Sequence, residues 1–155
     1  MIWEELNESL MILGMEADSS DEVFEQLGGV LTHEGYAKDS YVEALKKRER
    51  EFPTGLDIDG FGVAIPHTDV SHVNKGATGV AVLKKPVTFI QMGTDDEEVE
   101  VKLVFMLSVT DPNAHIDELQ KILAIIQDTD VLEQLSEAED TQKIIDIIKE
   151  KEITL

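Results

Sequence analysis

The sequence predicts an α/β fold, a mixed parallel/antiparallel β-sheet flanked by helices. Three observations lead there. Apolar runs of strand length are interspersed with segments whose apolar residues recur at helical spacing. Their order is strand, two helices, several strands and three helices, which mixes both element types within one packed unit. The strands between residues 77 and 109 follow one another too closely for every connection to be a helical crossover, so part of the sheet must be antiparallel. The chain of 155 residues, 42% of them hydrophobic, has the length and apolar content of a single domain spanning 1–155. No Gly/Ser tract, Pro-rich stretch, low-complexity block or internal repeat divides it.

Taken in order, SLMILGM (9–15) reads as a strand, although Leu6, Leu10 and Leu13 would also suit a helix face. Ser19 and Ser20, followed by Asp21 and Glu22, start a helix. Val23, Phe24, Leu27, Val30 and Leu31 give it an apolar face and Gly35 ends it. Asp39 or Ser40 caps a second helix with Val42 and Leu45 inward. It must stop near Phe52, because Pro53 disfavours helical geometry at the preceding residue. GFGVAI (60–65) is a short strand closed by Pro66, ATGVAVL (77–83) and PVTFI (86–90) are two more, and VEVKLVFMLSV (99–109) is a long buried one. Asp111 caps a helix over 112–127 with Pro112 at its first position. Val131, Leu132 and Leu135 belong to a short helix, and Ile144, Ile145, Ile147 and Ile148 to the last.

Charge narrows the function classes. Thirteen Lys and Arg stand against 33 Asp and Glu, a net charge of −20. Such a surface repels phosphate backbones and anionic bilayers, which argues against nucleic acid and against direct membrane insertion. The chain has no Cys, so disulfides, thiolate metal sites and a Cys nucleophile are ruled out. No apolar run approaches the roughly 18 residues of a membrane span. MIWEELNESL lacks the basic start of a secretory signal, and a cytoplasmic location is expected.

The candidate reactive groups are therefore four His, with Ser, Thr and carboxylates. His33 reads as a solvent-facing residue late in a helix and His72 as a loop residue. His67 differs, because it directly follows the buried strand end Val63-Ala64-Ile65-Pro66, and the carboxyl ends of strands in α/β sheets are where ligands usually bind. His115 falls in the first turn of a predicted helix, where free amides and the positive end of the dipole favour anions and a neutral imidazole. Lys46, Lys47, Arg48 and Arg50 concentrate cations just before Pro53, and Arg grips phosphate oxygens through parallel hydrogen bonds. The plainer alternative is a solvated helix face with Glu49 and Glu51 interleaved. His67, Asp69 and His72 could together hold zinc, but their spacing across a loop is a weak metal pattern. No nucleotide-binding glycine loop is present.

The pair Arg48-Glu49, then PTGL (53–56), GVAIPHTD (62–69) and PVTFIQMGTDDEEVEV (86–101), followed by VFMLSV and the helix carrying His115, resembles the enzyme IIA domain of the sugar phosphotransferase system (PTS), type 2, the fructose–mannitol superfamily. The resemblance covers roughly residues 9–150, and FPTGL and MGTDDE look most like the galactitol-type branch. It implies a free-standing phosphocarrier that takes a phosphoryl group from phospho-HPr on His67 and passes it to a IIB component, and through it to a membrane IIC component. Arg48 and His115 match the family's active-site Arg and second His. No metal or other cofactor is implied.

The residue chemistry agrees with that resemblance. A neutral imidazole is nucleophilic near pH 7, and phosphoryl transfer needs positioning and charge neutralisation above all. The sequence leaves open which ring nitrogen would react. An alternative reading is a regulatory, nitrogen-PTS-like IIA protein that signals through its phosphorylation state, and a metal-binding module is a third. A docking rim of apolar residues is expected around His67, formed partly by Phe61 and Ile65.

Overall fold

In the computed structural model, which describes residues 1–113 and 116–155, five strands form one sheet in the order β1-β4-β5-β3-β2. The strands are β1 (Leu6–Met15), β2 (Gly55–Ile58), β3 (Phe61–Ala64), β4 (Ala77–Ile90) and β5 (Glu98–Ser108). β1 runs parallel to β4 and β3 parallel to β5, whereas the β4–β5 and β2–β3 pairs are antiparallel. The expected mixed sheet is thus present.

Among the described residues, five longer helices cover its two faces. Helix α1 is continuous through Ser20–Val23, a π turn at Phe24–Gly28, and Gly29–His33, all with right-handed helical dihedrals at the junctions. Ser19 caps it by accepting from the Glu22 N–H, and Gly35, at φ +86°, follows its end. Helix α2 is Tyr41–Glu51, with Phe52 as its C-cap. Helices α3 (Pro112–Ile126), α4 (Thr129–Glu137) and α5 (Thr141–Ile153) complete the chain. Three aspartates, Asp111, Asp128 and Asp140, cap these last helices by accepting from the backbone N–H of Asn113, Asp130 and Lys143, the second or third residue of each.

Strand alternation divides the core into two layers. Ala81, Leu83, Val104 and Met106 pack with Phe24, Leu27, Leu31, Tyr41 and Leu45 of α1 and α2. Val80, Val82, Leu103 and Phe105 face the opposite way, onto Ile122, Ile126, Leu132, Ile144 and Ile148 of α3–α5. Helices on both faces explain why β5 reads as an unbroken apolar run rather than an alternating one.

Two expectations need correction. Residues 77–83 and 86–90 are not separate strands, because β4 runs unbroken from Ala77 to Ile90 with a register irregularity between Val82 and Val87. The exposed Lys84-Lys85-Pro86 occupies that irregularity, where Pro86 needs no ladder donor. Strand β2 was not expected at all. It forms a tight hairpin with β3 through Asp59 (φ +49°) and Gly60 (φ +91°), and the Asp-Gly pair flanked by apolar residues is its sequence signal.

Candidate functional site

The segment after β3 is clamped on both sides before it reaches His67. Val63, Ala64 and Ile65 are fully buried. The Ile65 N–H donates to the Thr54 carbonyl at 3.2 Å, which carries the β2–β3 pairing one step past its last rung, Gly55 opposite Ala64. On the other side the Leu107 N–H, near the end of β5, donates to the Pro66 carbonyl at 3.0 Å. The Leu107 carbonyl in turn accepts from the buried Tyr41 hydroxyl at 2.7 Å, and burial holds that phenol far above its usual pKa, hence neutral. Strand β3 therefore delivers its exit from a fixed backbone.

The His67 side chain emerges half-buried at this point, and its Nδ1 lies 2.8 Å from the Ile65 carbonyl oxygen. A carbonyl can only accept, so Nδ1 carries the proton in that contact, and the neutral ring then has its lone pair on Nε2. Thr68 beside it is buried.

Arg48 occupies the last turn of α2, and it is the one member of the cation cluster seen to turn toward the segment after β3. Its Nη1 is 3.9 Å from an Asp69 carboxylate oxygen, and its guanidinium carbon lies 4.9 Å from the Phe52 ring centroid. Its Nε is buried with no hydrogen-bond partner among the described residues. Lys46 instead pairs with Glu25 at 2.8 Å and Glu43 at 3.4 Å, and Arg50 reaches Asp21 at 3.7 Å. The predicted cluster is thus dispersed, two of its members holding α2 to the acids of α1.

Glu49 is the residue that sequence reasoning passed over. The sequence places it in the Arg48-Glu49 pair or, alternatively, on a solvated helix face; in the structure it is half-buried, and its carboxylate accepts from the Thr54 N–H at 2.9 Å and from the Thr54 hydroxyl at 2.8 and 3.0 Å. Burial pushes its carboxyl up to about 7 despite those hydrogen bonds. A donor-rich Thr directly after Pro53, where the helix must stop, was the available signal.

His115 lies outside the described residues. His33 is exposed at the end of α1. Of the three groups of the zinc alternative, His72 Nδ1 is 2.8 Å from the Ser40 hydroxyl, His67 Nδ1 is held by the Ile65 carbonyl, and Asp69 faces Arg48 at 3.9 Å. Among the described residues, no group of three or more His, Asp or Glu side chains could hold a metal ion. The expected rim residues are displaced: Ile65 is fully buried, and Phe61 sits opposite Ile58 beside the β2–β3 turn, half-buried against the core layer of α3–α5. The exposed apolar residues nearest in the chain to the site elements are Phe52, at the end of α2, and Ile116, in α3. No helix among the described residues is long and apolar enough to cross a membrane.

Comparison with known proteins places these features in context. Residues 4–151 match the family described as phosphoenolpyruvate-dependent sugar phosphotransferase system, EIIA 2. The galactitol-specific EIIA component of Escherichia coli is 31% identical over 129 residues, covering 83% of this chain and 85% of that protein. Among solved structures, the complex of mannitol enzyme IIA with phosphorylated enzyme IIB from Escherichia coli superposes with a TM-score of 0.78 at 23% identity, covering 94% of this chain and 97% of the other. The nitrogen regulatory protein IIA-Ntr of Neisseria meningitidis superposes with a TM-score of 0.77 at 28% identity, covering 95% and 98%.

Proposed function

Because this chain belongs to the type 2 EIIA family of the phosphoenolpyruvate-dependent sugar phosphotransferase system, we propose that it is the phosphocarrier of a galactitol-like sugar or polyol uptake system, with His67 as the phosphorylated residue. The observation that carries this is the Nδ1 contact of His67 with the Ile65 carbonyl, at the end of a strand clamped by Thr54 and Leu107. The contact directs the lone pair of the neutral ring to Nε2, so Nε2 is the attacking atom.

The step conserves atoms and charge. The N–P bond of a phosphohistidine on HPr, protonated on its other ring nitrogen, breaks, the donor ring keeps the electron pair and leaves as neutral imidazole, and a new N–P bond forms to His67 Nε2. The His67 ring becomes cationic and keeps its Nδ1 proton, which the Ile65 carbonyl stabilises. Transfer to an acceptor side chain of the IIB component reverses these roles, and IIB serves the membrane IIC component. Arg48 neutralises charge on the moving phosphoryl group through its partly exposed guanidinium. His115 is assigned a supporting role as a donor to the same group. The relay needs no metal or nucleotide and is expected to run in the cytoplasm. A IIA–IIB complex in a protein of the same fold supports the IIB partner.

The regulatory alternative draws on the likeness to nitrogen regulatory protein IIA-Ntr. The galactitol-specific relative, matched over most of both chains at higher identity, favours uptake.

Incubation with enzyme I, HPr and labelled phosphoenolpyruvate tests the assignment. The label should map to His67, be lost in acid and survive alkali, and His67→Ala should take up none. Label retained on His67→Ala would overturn it.

A further inference from the structure

We propose that Glu49 is a positioning residue for His67, acting through Thr54 and the Ile65 carbonyl to set which imidazole tautomer is present. The inference rests on the assignment of His67 as the phosphoryl acceptor for its functional meaning, but its geometry stands on its own.

The connection is continuous. Helix α2 ends at Glu51, and Pro53 has no N–H with which to anchor the turn that follows. Thr54 is the first residue beyond it that can be anchored, and it is only 2% exposed. A buried N–H and hydroxyl must find acceptors. Both find the Glu49 carboxylate, at 2.9 Å from the N–H and 2.8 Å from the hydroxyl. Thr54 so held presents its own carbonyl to the Ile65 N–H at 3.2 Å. The peptide unit that follows carries the Ile65 carbonyl, and that oxygen takes the His67 Nδ1 proton at 2.8 Å. Loss of the Glu49 carboxyl leaves two buried donors on Thr54 without an acceptor, and the turn must move to rehydrate them. Because the Ile65 N–H is tied to that turn, the displacement reaches the acceptor of the His67 ring.

The neutral acid can serve as well as the carboxylate. With a proton on one oxygen, Glu49 donates to the Thr54 hydroxyl and still accepts from the Thr54 N–H through the other. Burial brings the carboxyl to about 7, so both forms occur near neutrality. Glu49 lines a cavity of about 150 Å³, whose other charged groups are Lys46 and Arg50 on α2 and Asp21 on α1. Arg50 is paired with Asp21 and Lys46 with Glu25. A glutamine has the same donor–acceptor pattern as the neutral acid and should substitute for it.

Nitrogen NMR of the His67 ring on the full chain, at about pH 8.5 where an ordinary imidazole is neutral, reads the tautomer directly and needs no phosphate donor. The wild type should show a predominantly Nδ1–H ring. Glu49→Ala and Thr54→Val should shift the ring toward the Nε2–H form and slow phosphorylation about tenfold, the usual scale for losing a group that orients a reacting one. Glu49→Gln and Thr54→Ser should restore both. A folded Glu49→Ala or Thr54→Val protein with the wild-type His67 spectrum overturns the inference, as does failure of Glu49→Gln to restore it. If the tautomer responds as expected while no variant or wild-type protein accepts phosphate, the positioning holds and the phosphocarrier assignment is the part that falls.

Discussion

Arg48 and Phe52 lie one helical turn apart, and the guanidinium carbon of the first sits 4.9 Å from the ring centroid of the second. The aromatic face restrains the plane of a guanidinium whose nearest carboxylate, Asp69, is 3.9 Å away and mostly exposed. That arrangement leaves the Arg48 fork oriented yet weakly committed, as a group must be if it is to receive a transient anion.

Arg48→Lys should therefore slow phosphoryl transfer about tenfold or more, since an ammonium keeps the charge and loses both the planar fork and the stacking. Phe52→Leu should give a smaller loss in the same direction. Initial rates with phospho-HPr check this, and a rate unchanged in Arg48→Lys would mean that Arg48 is only a solvated surface cation.

Phe52 also tests the docking surface. With Phe52 57% exposed and Phe61 half-buried in the β2–β3 hairpin, the two aromatics should respond differently to a charge. Phe52→Glu should weaken productive encounter with HPr at unchanged thermal midpoint, since it adds one more acid to a chain of net charge −20 directly beside Arg48. Phe61→Glu should instead lower the thermal midpoint, with transfer affected only as far as folding is. A reversal of these two outcomes would place the rim at the hairpin after all.

The phosphorylated ring nitrogen is a separate expectation. Because the Ile65 carbonyl occupies the Nδ1 side of His67, phosphorus–nitrogen coupling should place phosphate on Nε2. An Nδ1 adduct would require the ring to abandon that contact and would refute the tautomer argument.

Stability should fall with rising pH near neutrality. Glu49 titrates at about 7 when folded against 4.5 for the ordinary group. A carboxyl raised on folding binds more protons in the native than in the unfolded state between those two values. Its contribution is thus full below the unfolded value and is lost as pH rises through the folded one, a swing on the order of 2–3 kcal/mol. Denaturant melts at pH 5 and 8 should show the wild type losing more than Glu49→Gln, which has no proton to release there. Equal losses in the two proteins would place the titration elsewhere.

How legible all this was in the sequence depended on where the determining contacts lie. Helix ends set by local groups, such as Ser19 with Glu22 and Asp111 with Asn113, were readable because cap and capped amide are neighbours. Strand β5 was readable because burial on both faces leaves a continuous apolar run. Strand β4 was split at Lys84-Lys85-Pro86 because an exposed bulge looks like a loop when its partner strand is not in view. His67 stood out through PHT at a strand end. Glu49 did not, since one acid among 33 Asp and Glu gives no sign of being buried until Thr54 is brought against it. Ile65 and Phe61 were misjudged for a similar reason: adjacency in the chain says little about which side of a strand, or which end of a hairpin, faces the solvent.

The bond between Leu107 and Pro66 has a consequence for the newborn protein. The turn held by Glu49 can close as soon as its own few residues leave the ribosome, but the other clamp on the histidine segment is made roughly forty residues later, about 2–8 seconds at ordinary rates of synthesis. Until then an emerging chain displays its histidine without a settled backbone beneath it. A half-made copy should thus be a poor recipient in the relay, and few phosphoryl groups would be stranded on chains that never finish.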